Sequence, residues 1–494
     1  MNATRKAARL RVLFATPECA PWAKTGGLGD VSASLPAALA ALGLDVCVLL
    51  PGYPSVRQAA RNARKVADIR SAHGLPSARL LRGRLPSGVP ALVLDCPSLY
   101  RREGGPYQDG EGVDYTDNAL RFGLLSHVAA RLASAASPLV WRADILHCND
   151  WPTALAPAYL KLGLPGAAPS LIVVHNLAFQ GIFPLDVAER LGLPPESLKS
   201  EGVEYWGKLS FLKAGLYYAD RIVAVSPTYA REIRTEAHGC GMQGLLETRA
   251  NRLAGILNGI DMDAWNPRTD PHLDTNYDAD TLEDKAPNKR ALQAELGLAA
   301  DDDALLLGMV TRLTDQKGID LVLDALPELL ARPVQLALLG GGDARFEQAW
   351  RQRAAARPDR IAAVIGFDER LAHRIEAGAD AFVMPSRFEP CGLNQMYSQR
   401  YGTPPIVRAT GGLVDSVGDF SVDGLHRGEA SGFLFAEATP AALVEAVDRA
   451  LKVFADRVAW RTLCCNGMAR DFSWGGSAGR YARLYVAMRA AAAA

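Results

Sequence analysis

The chain has no excess of charge of either sign: 54 Lys and Arg residues are matched by 54 Asp and Glu residues, a formal net charge of zero. A protein that coats a polyanion needs surplus cations, at least in one patch, so this balance speaks against a nucleic-acid partner. Lysine is scarce, with eleven against 43 arginines, which draws attention to any lysine inside a glycine-rich turn. Cysteines 19, 47, 96, 148, 240, 391, 464 and 465 are scattered and include no Cys-x-x-Cys pair. Neither a disulfide-stapled module nor a zinc site is expected from them, and reduced thiols in a cytoplasmic protein are. No apolar run approaches the about 20 residues of a membrane helix. The basic start, with Arg5, Lys6, Arg9 and Arg11, precedes an apolar stretch at 12–15. That stretch is shorter than the roughly 7 to 15 residues of a secretory signal core and reads as a first buried strand. A P-loop and a G-x-G-x-x-G turn are also missing, which weighs against ATPase and dehydrogenase readings.

What the chain does have is ordinary globular composition, 49% hydrophobic and 22% charged, over 494 residues, enough for two or three domains. Short runs rich in Val, Ile and Leu recur, each followed by a glycine-containing turn and a helix-period pattern. This rhythm predicts βαβ units around buried parallel sheets. Strands are expected at 10–15, 45–50, 91–95, 145–148, 170–175, 221–225 and 253–257 in the first half. In the second half they are expected at 304–310, 334–339, 361–365, 381–384 and 405–407. The fold class is therefore α/β, with two doubly wound, Rossmann-like domains facing across a cleft. Residues 258–284 are rich in carboxylates and poor in apolar side chains, and they read as a surface connection. The boundary is placed after residue 257, giving domains 1–257 and 258–472, and the Ala-rich end at 490–494 is expected to fray.

Open parallel sheets bind ligands beyond the carboxyl ends of their strands, so the turns there should carry the chemistry. After the first strand come Lys24, Thr25, Gly26, Gly27, Leu28, Gly29 and Asp30, then a helix. Glycines let a ligand approach the backbone, and a helix N-terminus favours an anion; a tight turn with a solvated lysine is the plainer alternative. In the second half, Arg312 and Lys317 lie five residues apart in a loop that opens a helix, an arrangement suited to a diphosphate. Two further turns, at 385–393 with Glu389 and at 409–413, also follow expected strands. His175 and Asn176 close one strand, and Asp150 follows another. For His175 a packed structural role, and for Asp150 a helix N-cap, are the competing readings; His147 reads as packed.

Those segments, read together, resemble the bacterial glycogen synthase and plant starch synthase family, the retaining glycosyltransferases of the GT-B type, family GT5. The resemblance spans about residues 12–485. It is carried by PWAKTGGLGDV at 21–31, YTDNALRF at 115–122, HNLAFQG at 175–181, FLKAGLYYADRIVAVSPTYAREI at 211–233, LNGID at 257–261, TRLTDQKG at 311–318, SRFEPCGLNQ at 386–395 and ATGGLVDSV at 409–417. It implies transfer of glucose from ADP-glucose to the 4-OH of an α-1,4-glucan such as glycogen, with retention and release of ADP. No cofactor, metal or membrane is implied.

Carried onto this sequence, the resemblance implies that Arg312 and Lys317 steady the departing diphosphate in place of a metal, with backbone N–H groups of Gly411, Gly412 and Leu413 sharing that load. Glu389 is the implied active-site carboxylate that holds glucose hydroxyls, with Cys391, Gly392 and Leu393 lining its pocket beside Thr410. Lys24, Gly26, Gly27 and Asp30 are implied to bind the sugar nucleotide. His175 and Asn176 are implied near the glucose, Asp150 and Tyr107 on the acceptor side, and Asn258 near the hinge. A final helix at 473–494 is implied to return to the first domain, so that hinged closure excludes water.

Five positions depart from the family's pattern. Asn149 and Pro152 stand where many relatives have His, Phe367 where Tyr is common, Asn394 where Thr is usual, and Phe420 where some have Cys. All leave Arg312, Lys317 and Glu389 intact. Related sucrose-forming and lipopolysaccharide transferases commonly carry a second Glu eight positions after the first; here that position is Tyr397, which favours the glucan synthases. A transferase using UDP-glucose and a non-catalytic glucan-binding relative are the alternatives.

Overall fold

The computed structural model describes residues 9–493; Arg5 and Lys6 of the basic start, and Ala494 of the expected final helix, lie outside them. The chain forms two compact units, Met1–Gly259 with Trp474–Ala494 and Ile260–Ser473. Among the described residues no helix is long and apolar enough to cross a membrane.

The first unit holds β1 (Arg11–Ala15), β2 (Asp45–Pro51), β3 (Arg64–Ile69), β4 (Ala78–Arg84), β5 (Pro90–Asp95), β6 (Ile145–Asn149), β7 (Ser170–Val174), β8 (Ile182–Pro184), β9 (Glu204–Tyr205), β10 (Lys208–Ser210), β11 (Arg221–Ala224) and β12 (Leu253–Gly255). Nine of them make one sheet in the order β12-β11-β7-β6-β1-β2-β5-β4-β3. Its central strands pair in parallel, and Val12, Leu13, Phe14 and Ala15 of β1 are wholly buried. Burial on both faces is why these strands read as continuous apolar runs and not as alternations. The strands at the other end differ. β3 and β4 are antiparallel and carry Arg64, Lys65, Arg79, Arg82 and Arg84, a charged edge that resists pairing with another chain. They lack the apolar signature and are not anticipated from the sequence, nor is the three-stranded sheet β8-β10-β9, whose strands are only two or three residues long.

The second unit is a six-stranded parallel sheet, β13 (Leu305–Val310), β14 (Val334–Gly340), β15 (Ile361–Ile365), β16 (Ala381–Met384), β17 (Pro405–Arg408) and β18 (Phe433–Phe435), in the order β15-β14-β13-β16-β17-β18. Its core packs Trp350, Tyr401 and Phe433 below the sheet's helices. The expectation of a surface connection at 258–284 needs correction. Asp270 and Tyr277 in this stretch are almost fully buried. The Asp270 carboxylate accepts from the Tyr401 hydroxyl at 2.5 Å and lies 2.7 Å from His373 Nδ1, and Tyr277 donates to the Tyr401 carbonyl at 2.8 Å. Trp265 is sandwiched between the rings of His373 and Tyr397, at 3.8 and 3.9 Å. A few aromatic anchors pack this polar segment into the second unit, which a count of its carboxylates does not reveal.

The last helix, Trp474–Ala493, belongs to the first unit and includes residues 490–493 of the stretch that was expected to fray. Its Tyr485 is fully buried and its hydroxyl lies 2.7 Å from Nδ1 of His147, itself fully buried on β6. Burial pushes the His147 imidazole down to about 3, so it stays neutral. His147 Nε2 has no partner within hydrogen-bonding geometry among the described residues, which leaves the tyrosine as the contact that satisfies the ring. Tyr485→Phe therefore strands a buried imidazole and is expected to cost about 1–3 kcal/mol, read as a lowered thermal midpoint with activity retained below it.

Candidate active site

In the first unit the chain moves from β1 to β2 and on to β5, then returns to the other flank of β1 as β6 and continues to β7 and β11. The loops after β1 and β6 therefore leave in opposite directions, which makes this a switch point of the kind where open parallel sheets bind ligands. The loop after β1 carries Lys24 and Gly26, and Gly27 and Asp30 lie in the first turn of the helix it opens; Asp150 follows β6; His175 and Asn176 follow β7.

A buried carboxylate, Glu18, holds the first loop. Its Oε2 accepts the backbone N–H groups of Thr25 at 2.5 Å and Gly26 at 3.2 Å, and its Oε1 accepts the hydroxyl of Tyr107 at 2.6 Å. Burial pushes the Glu18 carboxyl up, opposed by those three donors. The bonding continues outward: Asn118 donates to the Tyr107 carbonyl at 2.9 Å, and the buried Arg121 guanidinium donates to Asn118 at 2.6 Å and to the Leu99 carbonyl at 2.9 Å. Residues of the YTDNALRF stretch thus position Tyr107, and Tyr107 positions the loop's anchor. Lys24 pairs with Asp30 at 2.8 Å on the exposed side of the loop. The helix Gly27–Ala41 starts here with Gly26 as its N-cap and no side-chain cap, a setting that favours an anion.

Asp150 precedes a short 3-10 turn but makes no capping bond, so the expected N-cap role does not apply to its side chain. Its Oδ1 instead accepts the backbone N–H of His175 at 2.7 Å and of Asn176 at 3.4 Å. The next amide, Leu177, donates to the hydroxyl of Tyr229, from the SPTYAREI stretch, at 2.9 Å. Three successive amides are therefore fixed by side chains. Asp150 adopts φ 53°, a left-handed conformation that costs a non-glycine residue about 1–3 kcal/mol. Burial pushes its carboxyl up to about 7, against the two amide donors. His175 Nε2 lies 3.0 Å from Asn149 Oδ1, and burial pushes the imidazole down to about 3.

The second unit repeats the topology. β13 lies between β14 and β16, so the loops after β13 and β16 flank its switch point. Lys317, 72 positions from Glu389 in sequence, meets it there with Nζ 2.5 Å from Oε2, and Ser386 donates to the same oxygen at 2.9 Å. Both charged side chains are largely shielded from solvent, at 17% and 7% exposure. Gly318 makes this approach possible: it has φ 66°, and a Cβ there would stand 2.2 Å from the Pro385 carbonyl oxygen. Arg387 braces the loop through a paired contact with Asp320 at 2.7 and 2.6 Å. Arg312 is exposed beside this cluster in sequence, with no carboxylate partner among the described residues.

The 409–413 turn behaves differently from expectation. The Gly412 N–H donates to the Glu389 carbonyl at 3.0 Å and the Leu413 N–H to the Thr410 carbonyl at 3.1 Å, so these amides are already used inside the protein. A Cβ at Gly412 would lie 2.2 Å from the Cys391 carbonyl oxygen. The turn packs tightly enough onto the Glu389 loop to support it. Thr410 and Leu413 are buried, as is Cys391, while Gly392 and Leu393 are partly exposed. Asn258 is buried with its Oδ1 unpartnered. Among the departures, Phe367 is exposed at 78%, Asn394 donates to the Val310 carbonyl at 2.5 Å and Phe420 stacks on Phe433 at 5.5 Å.

Sequence reasoning missed Glu18, Asn149 as the partner of His175, and Ser386. Glu18 had a signal, a carboxylate placed directly after an apolar strand, where a charge needs partners. Among the described residues no three His, Cys, Asp or Glu side chains gather as a metal-ligating group.

Residues 11–248 match the family described as the starch synthase catalytic domain, and residues 295–461 match the glycosyl transferases group 1 family. A glycogen synthase of Nitrosospira multiformis is 54% identical over 97% of both chains, and one of Dechloromonas aromatica is 54% identical over 96% of this chain and 98% of that one. The catalytic domain of starch synthase IV from Arabidopsis thaliana, solved with ADP and acarbose, superposes with a TM-score of 0.87 at 33% identity, covering 98% of this chain and all of that one. Sucrose-phosphate synthase from Thermosynechococcus elongatus shares the fold, with a TM-score of 0.59 at 20% identity, covering 98% of this chain and all of that one.

The Asp150 carboxyl titrates near 7 when folded and near 3.8 when unfolded. The folded state therefore holds an extra proton between these values, and the resulting stabilisation is complete below about pH 4 and lost as pH rises through about 7. Relative to Asp150→Asn, which keeps an oxygen for the two amides and cannot titrate, the parent is expected to lose stability across that window. Thermal midpoints of both proteins from pH 4 to 8 check this; parallel curves would refute it.

Proposed function

The chain belongs to the glycogen and starch synthase family of glycosyltransferases, and from that premise we propose that it transfers glucose from ADP-glucose to the non-reducing 4-OH of an α-1,4-glucan, with retention at the anomeric carbon and release of ADP. A cytoplasmic setting is part of this reading. The observation that carries it is the Lys317–Glu389 contact at the switch point of the second unit, with Arg312 on the same loop as Lys317.

As the glycosidic bond breaks, negative charge grows on the diphosphate oxygen that leaves. Fixed cations stabilise that state more than the ground state, and this difference lowers the barrier. Lys317 is held by Glu389 and needs little reorganisation to meet the diphosphate, whereas Arg312 is exposed and reaches it from the same loop. Glu389, braced by Ser386, offers acceptor oxygens to glucose hydroxyls. In the first unit the Lys24–Gly27 loop and the N-terminus of Gly27–Ala41 suit the sugar and phosphate. His175, neutral at physiological pH, acts by hydrogen bonding, with Asn176 beside it. Asp150 sets the backbone of both, and Tyr107 sets the loop after β1, so these two serve the acceptor side chiefly by positioning. Retention follows from attack on the face the leaving group departs from, with the departing phosphate taking the acceptor proton. Tyr397, stacked on Trp265 where other retaining transferases place a second carboxylate, supports the glucan-synthase reading.

The direct test is ADP release from ADP-glucose with and without glycogen, with UDP-glucose as competitor; release should require glycogen and prefer the adenine nucleotide. Arg312→Ala or Lys317→Ala should lower turnover by on the order of 10² to 10³ in a normally folded protein. Glu389→Ala should lower kcat by a larger factor than it raises KM, and a kcat equal to the parent's would remove Glu389 from this role.

A further inference from the structure

The small sheet β8-β10-β9 presents a feature that the proposed chemistry leaves unused. β9 and β10 pair from Tyr205 opposite Lys208, leaving a two-residue loop of Trp206 and Gly207. Both loop residues have positive φ, 51° and 75°, as a type I′ hairpin turn requires. Asn, Asp and Gly suit the first of these positions. Tryptophan does not, because its Cβ crowds the backbone in the left-handed region. The usual compensation would be burial of the indole, but Trp206 is 84% exposed. The indole meets the edge of the Tyr205 ring at 6.4 Å, but one such contact from a ring this exposed offsets little of the backbone strain, so a ligand is the better account of it.

The hairpin is also firmly held. The Lys213 ammonium, on the helix that follows β10, donates to the carbonyls of Ser200, at 2.8 Å, and Glu204. The Tyr205 hydroxyl donates to the Cys240 carbonyl at 3.1 Å, and Gly207 N–H donates to the Glu204 carboxylate at 2.6 Å. The sheet continues directly from the His175 loop. Gly181 and Gln180 accept amides from Phe211 and Leu212, and Ile182 pairs with Ser210. Three residues at about 3.4 Å each then put Trp206 about 10 Å along the strand direction from the point where that loop enters the sheet. Phe179 and Ile182, at 51% and 43% exposure, lie along the same stretch.

We propose that Trp206 is a stacking platform for the acceptor glucan, binding a glucose unit remote from the chain end that reacts. The apolar C–H face of a pyranose matches an indole ring, and Glu204 and Lys208 flank it with groups that can bond hydroxyls. This inference rests on the glucan-transfer reading above, from which it takes its ligand.

The test uses the full chain with glycogen and ADP-glucose, comparing the parent with Trp206→Asn, Trp206→Ala and Trp206→Phe. Asn suits the turn, so Trp206→Asn should keep or raise the thermal midpoint while raising the KM for glycogen roughly three- to tenfold. Retardation in glycogen-containing native gels should weaken by a similar factor, the KM for ADP-glucose should change less than twofold, and Trp206→Phe should restore much of the glycogen affinity. Unchanged glycogen KM and retardation in both Asn and Ala variants would overturn the proposal. So would a change of oligomeric state in Trp206→Asn with glycogen affinity intact, since the ring would then be a contact between copies of this chain. If the parent releases no ADP from ADP-glucose but its gel retardation depends on Trp206, the transfer reading fails and the platform stands.

Discussion

A parallel sheet delivers its functional loops with a debt of unsatisfied backbone amides, and in this protein buried carboxylates settle it. Glu18 takes the amides of Thr25 and Gly26, and Asp150 takes those of His175 and Asn176. Glu389 applies the same device to a side chain, fixing Lys317. Burying a carboxylate is costly, which shows in the upward shifts of Glu18 and Asp150. The cost is tolerated because each carboxylate converts a flexible loop into a shaped one. An apolar residue at any of these positions would leave donors orphaned at a loss of about 1–3 kcal/mol per buried group.

This arrangement separates the two cations proposed to serve the diphosphate. Lys317 is preorganised by its carboxylate, and its loop is locked against the neighbouring one by the absence of a Cβ at Gly318. Arg312 stands exposed, and in the proposed role it would be ordered by the ligand, at about 0.5–1.5 kcal/mol for a long side chain. In that proposal one cation recognises the ground state while the other tightens as charge develops. Support also reaches the site from a distance: Arg121, Asn118 and Tyr107 form a bonded series that ends at Glu18, and Tyr229 reaches the His175 loop from a separate helix.

What was legible in the sequence follows from these physical differences. The strands β1, β2, β5, β6, β7, β11 and β13 to β17 were readable because burial on both faces demands runs of Val, Ile and Leu. β3 and β4 were not, since an edge strand is protected by arginines that look like a loop. Polar composition likewise misled at 258–284, where Trp265, Asp270 and Tyr277 carry the packing. Lys317 and Glu389 were each recognisable from their motifs, but their contact depends on β13 and β16 being neighbours, which is a property of sheet order. The amides of Gly412 and Leu413 looked available from the glycines alone; the structure spends them on the Glu389 and Thr410 carbonyls.

Asn149 shows how far a single departure can be followed. Its side-chain Nδ2 donates to the Ala15 carbonyl at 2.9 Å, which fixes the orientation of the amide and turns Oδ1 toward His175. An amide oxygen only accepts, so the His175 Nε2 it faces must carry the proton. Because burial keeps this imidazole neutral, Nδ1 is left as a lone-pair acceptor. A histidine in place of Asn149 could meet His175 as donor or acceptor and would leave the tautomer open. With asparagine there, His175 can receive a hydrogen bond from a hydroxyl through Nδ1 and cannot compete for the positive role proposed for Lys317 and Arg312.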